Sequence, residues 1–505
     1  QGGEGDRRQG PPEGRRDAPI RSGVNPRRAA WAAAALLSAL SLAAAAGPSG
    51  GGTAARGGPR ERRVRLTFDT QVPDELLRLM DGRVIDDDSL DAWVDLPGNN
   101  ELLRLGRIRG ELTRAELREN LWHTILGHEN RRGTGLGSLA FDPIGDLRTM
   151  LSALPAMRKT IERRVEEAVV PYMPPGVRTI DAEVRFHLGG TWSGRTSDAI
   201  YVNLSFFHDF KPPWLESIDS VIAHEVIHMI HRQVSSLPAD AETAEGLFGV
   251  ALGEIQAEGI ARLVECQLLD SNYAPGTYGD FARRRYLEDL AGFQSAIARV
   301  EALRVTCLRS RDIAGCRRLI QDGLSRGGLT YSVGHGISKA IEASLGRATL
   351  AGTLAAGPER FFALYEQATR MHPGLPPLGE GFDADLDVAA GALAKDRRLW
   401  RLRDDAHRAH LAGEYDRAAQ LLRQVMEISP GSAVDAYNLS CALARRGETH
   451  AALDWLERAV GLGYKDRRVI DSDPDLDPIR GSRRYRRLLG SLESPSDPPE
   501  KSSRK

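Results

Sequence analysis

The residues best placed to do chemistry lie in the run Val221-Ile222-Ala223-His224-Glu225-Val226-Ile227-His228-Met229-Ile230. On a helix, residues four apart share a face, so the imidazoles of His224 and His228 would project together with Cβ atoms about 6 Å apart, close enough to share a metal ion. Glu225 projects about 100° around the helix from His224, where its carboxylate can reach a metal-bound water rather than the metal itself. Two imidazoles, a metal and a neighbouring base make a centre for hydrolysis with water as nucleophile. The rest of the run is uncharged, as a helix beneath a cleft requires. Two histidines buried there would be costly without a ligand or a hydrogen-bond partner.

A third ligand has to come from elsewhere. His231 lies seven residues, or about 10 Å along the axis, from His224 and cannot join it. Position 234, where a metzincin carries its third histidine, is Val234, which excludes that class. The next helical stretch, GEIQAEGIARLVE, offers Glu254 and Glu258 four apart on one face. Here the sequence resembles the gluzincin metallopeptidases, whose second helix carries an Asn/Ala-Glu-Gly-x-Ala pattern, matched by Ala257-Glu258-Gly259-Ile260-Ala261. The resemblance implies that Glu258 is the third ligand of Zn2+. Glu254 would then stand behind the ligands, holding a histidine in its tautomer. An exchange of these two roles is the alternative. Gly259 and Ala261 also make local sense, since small residues let this helix approach the one that bears the histidines.

Between about residues 65 and 372 the chain further resembles a family of zinc-dependent peptidases of the same clan. The resemblance rests on Pro97-Gly98-Asn99-Asn100-Glu101, on the Gly189-Gly190 turn before the tract Ala199 to Leu204, and on Tyr331-Ser332-Val333-Gly334-His335-Gly336 ahead of Gly346-Arg347. It implies a peptide or protein substrate, Glu225 as general base, and Ala199 to Leu204 as an edge strand that pairs with the substrate backbone. An oxyanion donor is also needed. Tyr331 and His335, four apart, are the candidates, with packing or capping near Gly334 as the plainer role for either. Lone His187 and His208 receive no ligand role.

Helical periodicity dominates from Val64 to Pro175 and returns from Ser217 to Gln233, Ala251 to Leu269, Phe281 to Leu308, Gly334 to Leu345 and Pro358 to Met371. A period-two tract with Ile180, Val184 and Phe186, then Ile200, Val202 and Leu204, signals a small sheet. Pro373 to Pro377, followed by Asp383, Asp385 and Asp387, reads as a surface loop. Beyond it Gly413, Ala418 and Leu422 recur at Gly447, Ala452 and Leu456, a shift of 34 residues. Residues 399–464 therefore resemble two tetratricopeptide repeats, and SDPDLDPIRGSRRYRRLL resembles their cap helix. The expected fold is α+β: a mostly helical, zincin-like domain with a small mixed sheet, then an all-α tetratricopeptide module. The domain occupies 63–395, with a helical part 63–175, the sheet and zinc helices 176–270, and a second helical part 271–395; repeats and cap occupy 396–490.

Arg21, Arg27 and Arg28 precede the apolar run Ala29 to Ala46, the signature of a signal peptide over 1–46, with a retained membrane anchor as the lesser alternative. A flexible linker over 47–62 and a disordered tail over 491–505 complete the chain. Export to a periplasmic or extracellular compartment would let Cys307 and Cys316 pair; Cys266 and Cys441 read as ordinary buried thiols. Lys+Arg number 68 against 69 Asp+Glu, so no positive field favours a nucleic acid, and no stable membrane span is expected once the signal is cleaved. The sequence thus points to an exported zinc metallopeptidase whose tetratricopeptide module binds a protein partner. Its rivals are a non-catalytic interaction protein with a structural or vestigial zinc site, and a zinc hydrolase of non-peptide substrates.

Overall fold

The computed structural model describes residues 62–109, 112–127, 144–189, 194–195, 199–235, 241–325 and 329–492. The expected signal peptide, Gly190, and the tail beyond residue 492 lie outside them. No described helix is long and apolar enough to cross a membrane.

Strand β1 (Arg63–Asp69) alternates exposed arginines with buried Val64 and Leu66, the period-two pattern of a half-buried strand. The segment 63–175 is therefore not wholly helical, as the periodicity downstream suggested: its first seven residues belong to the sheet. A helical crossover, ending in α1 (Ile144–Val169), carries the chain to β2 (Thr179–His187), which lies parallel to β1 with Arg63 opposite Thr179. The two-residue β3 (Gly194–Arg195) and β4 (Ala199–Asn203) complete a sheet of order β1-β2-β4-β3, in which β4 is parallel to β2 and antiparallel to β3. Strand β4 is buried along its whole length, with Gly194 paired to Tyr201 and Arg195 to Ile200. Strand β4 thus has a neighbour on each side, β2 along its length and β3 at Ile200 and Tyr201, rather than the free edge expected for Ala199 to Leu204.

Against the sheet and α1 packs α2 (Ile218–Val234), followed by α3 (Ala244–Gln267), α4 (Tyr278–Arg304) and α5 (Thr330–Leu345). Helices α3 and α4 begin earlier than periodicity indicated, because Thr243 and Thr277 cap them by accepting hydrogen bonds from the backbone N–H groups of Gly246 and Asp280. Cys307 and Cys316 form a disulfide that ties the extension of α4 to the helix Ile313–Ser325.

The acidic stretch read as a loop is instead helical: Asp383 and Asp385 lie in the first turn of α6 (Phe382–Leu411), and Asp387 follows in the same helix. Carboxylates suit the positive end of a helix, and Asp385 also accepts from Arg304 at 2.7 Å and Arg309 at 2.6 Å. This 30-residue helix joins two hydrophobic cores, lending Phe382, Leu386, Ala389 and Leu393 to the first and Ala406 and Ala409 to the second. Residue 396, the expected start of the C-terminal module, lies inside it. Then come α7 (Tyr415–Ile428), α8 (Ala433–Arg445) and α9 (Thr449–Gly461). The turns after α6 and α8 are equivalent under the 34-residue shift: Gly413 and Gly447 have φ of 76° and 82°, and Glu414 and Glu448 donate to Ala409 and Leu443. Only glycine enters that backbone region without strain. Pro474, Pro478 and Gly481 break the expected cap helix into short turns before a final helix, Arg483–Ser491.

Candidate metal centre

Two packing decisions bring α2, α3 and α5 together. Arg164 of α1 pairs with the buried Asp219 in the first turn of α2 at 2.5 Å, fixing that helix against the sheet side. Gly259 of α3 and Gly334 of α5 lie backbone to backbone, and a Cβ on either would stand inside the other helix. The close approach occurs one residue from Glu258 and three from Tyr331, so it sets the depth of both.

At the crossing, His224, His228 and Glu258 are all buried, and one ligand atom from each lies within 4.8 Å of the others. Nε2 of His224 is 3.3 Å from Glu258 Oε2, Nε2 of His228 is 3.3 Å from Glu258 Oε1, and the two nitrogens are 3.0 Å apart. Two imidazole nitrogens so close, both facing a carboxylate, repel through their lone pairs unless a cation or a proton lies between them, so the donor set suits a divalent metal. The far side of His224 strengthens that fit. Its Nδ1 is 3.1 Å from Glu265 Oε2. Burial opposes ionisation of Glu265, but Arg262 and His224 outweigh it and hold the carboxyl down to about 2. An ionised carboxylate can only accept, so Nδ1 donates and the neutral ring keeps its lone pair on Nε2. Burial would likewise lower the pKa of His224, yet the hydrogen bonds of Glu258 and Glu265 raise it to about 10, so a metal has a proton to displace at that nitrogen. Glu258 stays well below the usual carboxylate range against its own burial, because His228 and His224 stabilise its charge.

The remaining residues singled out from the sequence fall as follows. Glu225 is buried beside the ligands, near enough to Tyr331 for its charge to act on that phenol. Tyr331 comes to the centre, with its half-buried ring 6.3 Å from that of His224. His335 sits one turn along α5, fully buried against Tyr286 at 4.8 Å, and burial lowers its pKa to about 3. Glu254 stands half-buried on α3, while the bond to His224 Nδ1 is made by Glu265. His231 is buried in the last turn of α2, His208 meets Asp146 at 2.9 Å, and His187 is enclosed at the end of β2.

Sequence reading missed Glu265, Arg262 and Asp289. Arg262 is buried and donates to Glu265 at 2.8 Å and to Asp289 of α4 at 3.2 Å, while its guanidinium lies over the Tyr331 ring at 5.8 Å. The signal for two of them was present: Glu258, Arg262 and Glu265 stand four and seven residues apart, one stripe of a helix. Nothing local marks Asp289.

A family model described as "Putative zinc dependent peptidase (DUF5700)" matches residues 90–374, more than half of the chain. Over 80 residues the chain is 34% identical to a chloroplastic protein of Arabidopsis thaliana; the match covers 15% of this chain and 24% of that protein. No solved structure matches. The buried donors from α2 and α3 lie within the span of the family model: the chain belongs to the family so described, and its cofactor is zinc.

Proposed function

We propose that the chain is an exported metallopeptidase of the gluzincin type, in which His224, His228 and Glu258 hold zinc and Glu225 is the general base. One observation carries this reading: a carboxylate of α3 converges on two imidazoles of α2, with a second carboxylate one residue from the first imidazole. Zinc held there supplies Lewis acidity, lowering the pKa of water towards about 7 and polarising a carbonyl. Glu225 takes the proton of the attacking water and passes it to the leaving amine. Tyr331 donates its phenolic hydrogen to the oxygen on which charge develops; burial, reinforced by the charge of Glu258, raises its pKa and keeps that hydrogen in place. His335, enclosed one turn further on, is left to packing.

The substrate in this reading is a peptide or protein. The Cys307–Cys316 disulfide suits an oxidising compartment and supports export. The helical pairs that repeat after 34 residues support a tetratricopeptide module, for which a protein partner is proposed.

The test is a peptide-library digest with and without chelator, beside metal analysis of wild type and Glu225→Gln. Chelator should abolish cleavage. The variant should keep its zinc and lose about 10²- to 10⁴-fold in turnover. Cleavage indifferent to chelator, or undiminished in Glu225→Gln, overturns the reading.

A further inference from the structure

We propose that Arg262 is the positioning residue that couples the metal ligands to the oxyanion donor, a role that rests on the peptidase reading for its second half only. The two groups to be coupled lie on different helices, His224 on α2 and Tyr331 on α5, and Arg262 reaches both from α3. Through Nη1 it donates to Glu265 Oε1 at 2.8 Å, and the other oxygen of that carboxylate holds His224 Nδ1 at 3.1 Å. Through Nε it donates to Asp289 Oδ2 at 3.2 Å, and Asp289 Oδ1 accepts from Ser332 Oγ, the neighbour of Tyr331, at 3.2 Å. Its planar face covers the Tyr331 ring at 5.8 Å. Each carboxylate thus has a second task on its other oxygen, and the arginine joins the two.

A buried ion pair is weak evidence of stabilisation, since desolvation consumes much of the attraction. What this network supplies is geometry. A guanidinium offers a rigid fork and a flat face at once, whereas an ammonium keeps the charge but can neither bridge two carboxylates in one plane nor stack on a ring. Arg262→Lys therefore separates positioning from mere charge balance, and it serves where Arg262→Ala fails to fold.

The experiment compares wild type, Arg262→Lys and Glu265→Gln as full chains. Thermal unfolding shows that the variants fold. Zinc affinity from chelator competition and the visible spectrum of the Co(II)-substituted protein report the ligand geometry without any turnover. Both variants should bind zinc about 10- to 100-fold more weakly and shift the cobalt spectrum. For Arg262→Lys, kcat should also fall about 10-fold or more with KM changed less than about 2-fold. Combining Arg262→Lys with Tyr331→Phe should cost kcat less than the product of the two single losses, because part of the lysine variant's loss runs through that ring. A folded Arg262→Lys with wild-type zinc affinity and cobalt spectrum overturns the proposal, as does one whose kcat loss adds in full to that of Tyr331→Phe. Should the wild type cleave nothing, the peptidase reading fails, and the affinity and spectrum still decide whether Arg262 positions the ligands.

Discussion

Among the described residues two groups of side chains have metal-ligand spacing, and they differ in whether their donors are already engaged. His224, His228 and Glu258 meet in the first core, and Cys441, Asp473 and Asp475 meet in the second, each with ligand atoms within 4.8 Å of one another. In the C-terminal group the oxygens are already engaged. Asp473 Oδ2 accepts from Tyr437 at 2.5 Å and from the Cys441 thiol at 3.6 Å, while Asp475 faces His410 at 2.6 Å and Arg445 at 3.6 Å. Burial, with the charge of Asp473, pushes the Cys441 thiol up, so the sulfur remains a donor rather than a ligand. In the other group the hydrogen bond from His224 Nδ1 to Glu265 leaves a lone pair facing inward. Proximity is common to both; lone pairs aimed at one point distinguish them.

Metal stoichiometry is the strongest way to break this comparison. Purified wild type should hold one zinc per chain. His228→Ala should hold nearly none, because two remaining ligands cannot retain the ion, whereas Cys441→Ser should bind as wild type does. Metal analysis by mass spectrometry reads all three. A zinc that survives in His228→Ala and disappears in Cys441→Ser would reverse the assignment.

The next effect comes from acid. His335 and His187 are enclosed in the first core, and burial lowers both to about 3 from an ordinary 6.5; Arg262 and Lys339 add to the shift at His335 and Glu265 opposes it. A histidine whose folded pKa is depressed takes up its proton more readily in the unfolded chain. Stability should therefore be full above about pH 6.5 and decline as pH falls towards 3, by up to about 1.4 kcal/mol per pH unit for each ring. Urea midpoints at several pH values would show the slope, and His335→Phe should remove one proton's share of it. An unchanged slope would mean that His335 titrates normally.

Glycines give a contrast of sign. Gly259 faces the backbone of Gly334, so Gly259→Ala should destabilise by about 1–3 kcal/mol and weaken zinc binding by displacing Glu258. Gly391, exposed in mid-α6 with nothing near its absent Cβ, should gain about 0.5–1 kcal/mol as alanine. Chemical denaturation of the two variants measures both, and equal shifts would remove the special standing of the α3–α5 crossing.

Local patterns made the two histidines and Glu225 legible, because four residues of helix bring the histidines to one face and the residue after the first stands beside it. Glu258 was reached through a resemblance, since a ligand thirty residues away leaves no periodic trace. Glu254, four residues before Glu258, was the carboxylate expected behind the ligands; Glu265, seven residues after Glu258 on the same stripe and set against His224 Nδ1, was not singled out. Asp289 could not be read at all: its link to Arg262 exists only because α4 packs against α3. The fold shows the same division. Both zinc helices and the 34-residue repeat were legible from spacing, yet β1 was hidden ahead of a long helical tract, and β4 has its second neighbour through a two-residue pairing too short to predict. The acids of α6 read as a loop because Gly and Pro precede them, although a helix N-terminus favours the same residues.

The smallest effect concerns how the two regions touch. Glu242, just before α3, accepts from Arg403 of α6 at 2.6 Å and from Ser429 at 2.9 Å, which joins the approach to the zinc helix with the C-terminal helices. Arg403 keeps a second, better-buried partner in Asp435, at 2.5 Å, so its charge is not stranded when Glu242 is lost. Glu242 is itself half exposed, and water screens the pair. Glu242→Gln should therefore cost only about 0.5 kcal/mol, shrinking further in high salt, with zinc affinity unchanged. A loss well above that, or a fall in zinc affinity, would mean that the C-terminal helices hold the approach to α3 in place, and that the metal centre depends on the region that looks least like it.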